Sequence, residues 1–191
     1  MATDEADGGG GDGGDETADE DATDDEVIGA AVVTVSSTRS LEDDEPGDAV
    51  VSAFEDAGHE LATRELIESG YDNVQSIVTR LVDRGDVDVV VTTGGTGVSP
   101  DDVTLEAISP LLDKELPAFG DLFTRLGYEE VGTGVLCTRT MAGVSDGVPI
   151  FCLPAHATAT DLATTSIIVP EGPKLVSQAV GDRASPGEVE E

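Results

Sequence analysis

Apolar residues along this chain fall into short runs and helical stripes that alternate. Residues 27–35 read Val-Ile-Gly-Ala-Ala-Val-Val-Thr-Val. The run is rich in β-branched side chains and has no helical period, so it predicts a buried strand. Residues 36–48 are polar and read as a loop. Ala49, Val50, Ala53, Phe54 and Ala57 recur at helical spacing, and Gly58 ends that helix. A second strand is predicted over 59–66. Tyr71, Val74, Ile77, Val78, Leu81 and Val82 form a helical stripe that stops at Gly85. A third strand is predicted over 86–93. A helix after Pro100 presents Val103, Leu105 and Ile108 until Pro110 ends or kinks it. The segment 148–153 predicts a strand running into a helix over 157–167.

Strands alternating with helices imply βαβ units on a mostly parallel sheet, an α/β fold with helices on both faces. Ligands of such folds sit beyond the carboxyl ends of the strands. Four strand ends are therefore expected to converge: residues 36–39, 66–72, 92–102 and 153–157. The third of these carries the most informative stretch, Val89-Val-Val-Thr-Thr-Gly-Gly-Thr-Gly-Val-Ser-Pro-Asp-Asp-Val-Thr104. An apolar strand empties into hydroxyls and three glycines, a pattern that can deliver backbone amides to an anion. Thr92, Thr93, Thr96 and Ser99 add donors, and Asp101 and Asp102 add carboxylates. No lysine follows the glycines, so this is not a Walker A loop, and the spacing is not GxGxxG. The plainer reading is a tight glycine turn with Asp101 or Asp102 capping the next helix.

Thr92–Thr104 resembles the signature of the MoaB/MogA family of molybdenum cofactor biosynthesis proteins. Pro117-Ala-Phe-Gly-Asp-Leu-Phe123, Tyr128-Glu-Glu-Val-Gly-Thr133, Thr138-Arg139, Met141-Ala-Gly-Val144 and Ile150-Phe-Cys-Leu-Pro154 match further blocks of that family in order. Upstream, Thr34-Val-Ser-Ser-Thr-Arg39 and Glu42-Asp-Asp-Glu-Pro-Gly47 are similar to its first strand and loop. The resemblance spans roughly residues 27–176 and is closer to the MoaB branch. It implies a three-layer α/β/α sandwich of the molybdopterin-binding-domain type. It also implies adenylylation of molybdopterin, with Mg2+ and ATP as co-substrate and no tightly bound cofactor. Homotrimers or homohexamers, and contacts with other cofactor-assembly proteins, are implied as well. The related molybdate-inserting enzymes need further domains, for which 191 residues leave little room.

On this resemblance Asp102 is the catalytic carboxylate and the Mg2+ ligand on nucleotide phosphates, with helix N-capping as the alternative role. Ser36, Thr93, Gly94, Gly95, Thr96, Gly97, Ser99 and Pro154 would bind substrate. Arg39 matches the first loop, although Glu42, Asp43, Asp44 and Glu45 could hold it in a surface salt bridge. Arg139 matches a family position with either a ligand or a structural role. Three departures stand out. Ser69 takes the place of an aspartate found in adenylylating members, Ala155 replaces a glycine after Leu-Pro, and Ser37 stands where aspartate or asparagine is common. They favour the alternative of a catalytically inactive molybdopterin-binding or assembly module.

Composition changes the picture in one respect. Acidic residues number 41 against 9 basic ones, giving a net charge of −32. Residues 1–26 hold 12 acids, 6 glycines and no base, which reads as a disordered tail. The body, 27–176, is expected to form one domain, and 177–191 a polar acidic end. The body itself is strongly acidic, as expected of a halophile whose surface charge is screened by molar salt; a basic partner is the alternative. The charge argues against nucleic acid and anionic membrane surfaces. The acidic start is unlike a signal peptide. Together with Cys137 and Cys152, read as buried thiols, it suggests the cytoplasm. His59 reads as an edge histidine, and His156 as either a ligand contact or a helix-start residue. The spacings of these histidines and cysteines match no zinc pattern.

Overall fold

The computed structural model describes residues 26–180. Its centre is a six-stranded sheet in the order β2-β1-β3-β6-β5-β4. The strands are β1 (Gly29–Val35), β2 (Glu60–Ile67), β3 (Val89–Thr93), β4 (Lys114–Glu115), β5 (Met141–Ser145) and β6 (Val148–Leu153). β2, β1, β3 and β6 run parallel; at one edge β5 pairs antiparallel with β6, and β4 pairs antiparallel with β5. The helices are α1 (Glu45–Asp56), α2 (Tyr71–Val82), α3 (Thr104–Ile108), α4 (Pro117–Val131), α5 (Ala157–Ala163) and α6 (Val169–Val180).

Strand periodicity sorts these helices into two outer layers. Ala30, Val32, Val89, Val91, Phe151 and Leu153 pack with Val50 and Phe54 of α1, Phe119 and Phe123 of α4, and Ala163 and Val176 of α5 and α6. The intervening residues Ala31, Val33, Val90, Ile150 and Cys152 pack with Val74, Ile77, Val78 and Leu81 of α2 and Ile108 of α3. Because both sheet faces are covered, the central strands are apolar at nearly every position. Phe54, Leu81 and Ile150 are fully buried; each such side chain contributes about 1.5–3 kcal/mol relative to exposure. The three-layer α/β/α sandwich is therefore present.

Several boundaries differ from the sequence reading. α1 begins at Glu45, four residues before its apolar stripe, because Asp44 caps it and Pro46 sits in its first turn. β5 was not anticipated, although Asp146-Gly147 marks it. Both residues have positive φ, 49° and 78°, as a two-residue hairpin turn between β5 and β6 requires. The last helix extends well past 167. A π turn at Thr164–Ile168 carries α5 into α6 without a break, and Pro170 and Pro173 lie within the continuous run, where each removes an intrahelical N–H donor. α6 reaches Val180, beyond the expected boundary at 176. The acidic tail up to residue 25 and the segment 181–191 lie outside the described residues. Among the described residues, no helix is long and apolar enough to cross a membrane.

Candidate functional site

The chain runs from β1 outward to β2, then returns to the other side of β1 as β3. Strand order thus reverses between β1 and β3. A crevice opens at such a reversal beyond the carboxyl ends of the two strands. The segments there are Ser36–Arg39 after β1 and Gly94–Asp102 after β3. Cross-bonds tie the other two strand ends to them. Ser36 N–H donates to the Ile67 carbonyl at 2.9 Å, and Gly94 N–H to the Leu153 carbonyl at 2.9 Å. Ser69 Oγ donates to the Asp101 carbonyl at 2.8 Å, and Arg39 Nη2 to the Ala155 carbonyl at 3.2 Å.

The glycine turn is filled mainly by the protein's own atoms. Gly94 and Gly95 have φ of 92° and 65°, and a Cβ would strike the Val35 carbonyl oxygen at the first and Thr104 Oγ1 at the second. Thr104 Oγ1 in turn donates to the Gly94 carbonyl at 2.8 Å. The hydroxyls at the strand end also face inward. Thr92 is fully buried and donates to the Phe151 carbonyl at 3.4 Å. Thr93 Oγ1 donates to Thr34 Oγ1 at 3.2 Å, and Thr34 Oγ1 to Asp44 Oδ2 at 2.6 Å. Asp44, fully buried, also accepts from Gly47 N–H at 3.2 Å and pairs with Arg64 at 2.9 Å. Thr96 is 2% exposed. Of the expected donors, Ser99 is the one on the surface. A central strand covered on both faces turns its terminal side chains toward the helices, so the hydroxyl-rich strand end belongs largely to the interior.

Asp102 does not cap α3. Val103 occupies the N-cap position, without a side-chain bond. Asp102 closes its own turn instead: its Oδ2 accepts from Ser99 N–H at 2.9 Å, and its N–H donates to the Ser99 carbonyl at 3.0 Å. It remains partly exposed. Arg139 has a structural role. Its Nε donates to the carbonyls of Thr96 at 3.0 Å and Gly97 at 2.8 Å, and its Nη2 to that of Asp102 at 3.2 Å. The guanidinium also pairs with Glu106 and holds that carboxyl below its ordinary range. Arg139 thereby fastens the loop 96–102 from outside. The family match of Arg139 leaves its role open, and its hold on this loop comes from partners distant in sequence.

Ser36 Oγ accepts from the amides of Thr38 and Arg39 at 3.3 and 3.1 Å, closing the first loop. Pro154 lines an apolar cavity of about 480 Å3 together with Phe123, Val131, Val135, His156 and Leu162. Ala155 follows at the turn. Among the described residues Asp146 is the non-glycine with positive φ, so the alanine is not strained by that criterion. His59 lies away from the crevice, tilted against the Phe54 ring at 5.8 Å. Cys152 is buried, but Cys137 is exposed, against expectation. It sits in the turns of Gly132–Cys137, which pack against α4 rather than inside the core. Among the described residues no three His, Cys, Asp or Glu side chains converge as a metal site. A single carboxylate such as Asp102 fits a magnesium ion that also takes phosphate and water oxygens.

The family profile described as "Probable molybdopterin binding domain" matches residues 23–174. The chain belongs to this family. A relative from Bacillus subtilis strain 168, named molybdenum cofactor biosynthesis protein B, is 37% identical over 159 residues, covering 82% of this chain and 93% of its own length. A crystal structure of a molybdenum cofactor biosynthesis protein B superposes with a TM-score of 0.79 at 34% identity, covering 81% of this chain and 96% of that one. The crystal structure of the tungsten cofactor synthesizing protein MoaB from Pyrococcus furiosus gives 0.72 at 31% identity, covering 81% and 98%. The molybdopterin-binding family and the sandwich fold are thus established for this chain.

Proposed function

We propose that this protein works in molybdenum or tungsten cofactor biosynthesis, binding molybdopterin in the crevice between the ends of β1 and β3 and adenylylating it with Mg-ATP. An oxygen of the pterin's terminal phosphate attacks the α-phosphorus of ATP. A new P–O bond forms there, the bond to the β-phosphate breaks, and pyrophosphate leaves. The observation that carries the reading is Asp102, a partly exposed carboxylate held by its own turn at the reversal point of the sheet. Magnesium, when bound, neutralises phosphate charge. The chain's own contribution is to position the reactants. Asp102 orients the phosphates, Arg139 keeps the loop 96–102 in place, and the first loop closes the opposite wall.

The test is a product assay in molar KCl, the condition to which the acidic surface of a halophile is suited. Adenylylated pterin and pyrophosphate should form, and Asp102→Ala should abolish both. A second reading, a binding module without turnover, draws on Ser69, which offers a hydroxyl where a carboxylate is expected and already uses it on the Asp101 carbonyl. Folded protein that binds molybdopterin but leaves ATP intact would establish that reading instead. We further propose that the chain self-associates as a trimer or hexamer. The exposed apolar residues Leu122, Tyr128, Val131 and Leu136 on and after α4 are suited to an interface. Sedimentation in molar salt would measure the assembly.

A further inference from the structure

The described arginines do not share one fate. Arg64, Arg80, Arg84 and Arg139 each hold a carboxylate within the 4.0 Å expected of an ion pair. Arg125 lies exposed on α4. Arg39 differs from all of these. Four acids follow it closely in sequence, yet none forms an ion pair with it; of these, Asp43 takes Ser40 Oγ and Asp44 is committed to Thr34 and Arg64. Its Nη2 has a bond of 3.2 Å to the Ala155 carbonyl, near the long end of the range. Its Nη1 is buried and has no hydrogen-bond partner; Arg64 Nε is also buried without one, but that guanidinium is neutralised by Asp44 and Asp48, whereas Arg39 has no such ion pair. Buried donors without acceptors are rare and costly, and a charged one more so.

The position gives this incomplete satisfaction a meaning. Arg39 ends the loop after β1, on one wall of the crevice. The Ala155 turn that holds it also packs close to Gly94, since a Cβ on Gly94 would lie 3.5 Å from Ala155 Cβ. The opposite wall carries Asp101, Asp102 and Glu106, and among the described residues the arginine beside them, Arg139, is already engaged by Glu106 and three carbonyls. An anion entering this acidic crevice needs a cation, and the planar fork of arginine matches phosphate oxygens in pairs.

We propose that Arg39 is the phosphate receptor of the crevice: its guanidinium exchanges the Ala155 carbonyl for oxygens of a bound phosphate group. The identity of the ligand rests on the proposed function, whereas the anion site needs only a phosphate.

The test uses the full chain in molar KCl, with pyrophosphate as one probe and molybdopterin as the other, each titrated calorimetrically against wild type, Arg39→Gln and Arg39→Lys. Glutamine keeps a donor for Ala155 but removes the charge, and lysine keeps the charge but loses the fork. Arg39→Gln is expected to weaken pyrophosphate binding at least tenfold, as for lost charge-assisted hydrogen bonds. Arg39→Lys should recover part of the loss, and thermal melts of both variants should stay cooperative. A purely structural arginine would shift the melts and leave affinity unchanged. Wild type that binds no pyrophosphate, or Arg39→Gln that binds within twofold of wild type, overturns the proposal. Pyrophosphate binding that depends on Arg39, without binding of molybdopterin, supports the receptor and overturns the proposed function alone.

Discussion

Ser69 donates its hydroxyl to the carbonyl oxygen of Asp101 at 2.8 Å, joining the loop after β2 to the loop after β3. A carboxylate at this position would face that carbonyl as a second acceptor, with Glu68 adjacent in sequence and Asp101 and Asp102 on the loop it touches. Ser69→Asp is therefore expected to lose the bond and cost about 1 kcal/mol. Denaturation at rising KCl should show the loss shrinking as salt screens the added charge. A cost that does not change with salt would rule out charge repulsion as its cause.

Arg139 reaches three carbonyls of the loop that ends in Asp102. Arg139→Ala leaves those carbonyls to water and frees Glu106, an expected cost of about 1–2 kcal/mol. Amide hydrogen exchange across 96–102 should quicken while exchange in β1 and β3 stays slow. Arg139→Lys should behave much like the alanine variant, because one ammonium cannot span the same set of oxygens.

Asp44 is buried beneath the site and links Thr34, the start of α1 and Arg64. Removing one member of a buried charge pair strands the other, so Asp44→Ala should cost about 3 kcal/mol. Asp44→Asn retains acceptor capacity and should cost less. Denaturant midpoints of the two variants, compared with that of Arg64→Ala, would measure the coupling.

Burial pushes the His59 imidazole below its ordinary value of 6.5. Between its folded pKa and 6.5 the unfolded chain binds more protons than the folded one. Stability contributed by neutral His59 is therefore full above this window and lost as pH falls through it. Melting temperatures of wild type should drop on acidification below about pH 6.5. His59→Gln should flatten that part of the curve; an unchanged slope would assign the drop to other groups.

The two thiols should separate cleanly. Burial pushes the Cys152 thiol up to about 12, whereas Cys137 is exposed. A thiol reagent should label one cysteine per native chain and a second after denaturation.

Much of the sheet was legible because strands buried on both faces must be apolar at nearly every position. β1, β3 and β6 announce themselves in this way, and α2 does so through its stripe. The antiparallel edge was harder. β4 is two exposed residues, and β5 is short and contains Gly143, so the Asp146-Gly147 turn was the usable signal. At the site, sequence located the crevice but not the direction of its side chains. Thr93 reads as a ligand donor until Thr34 is seen beside it, 59 positions away along the chain. The roles of Asp44 and Arg139 likewise depend on partners in other elements, Arg64 for the first and the loop 96–102 for the second, which local pattern does not reveal.

Gly94 and Gly95 lack side chains because Val35 and Thr104 occupy the space. A motif built on such positions is a record of assembly. It would persist in a descendant that had lost every catalytic group, since replacing these glycines would damage the scaffold before it touched the chemistry. Recognising this turn in a new chain therefore identifies a lineage, and its livelihood must be read from side chains that reach outward, such as Asp102 and Arg39.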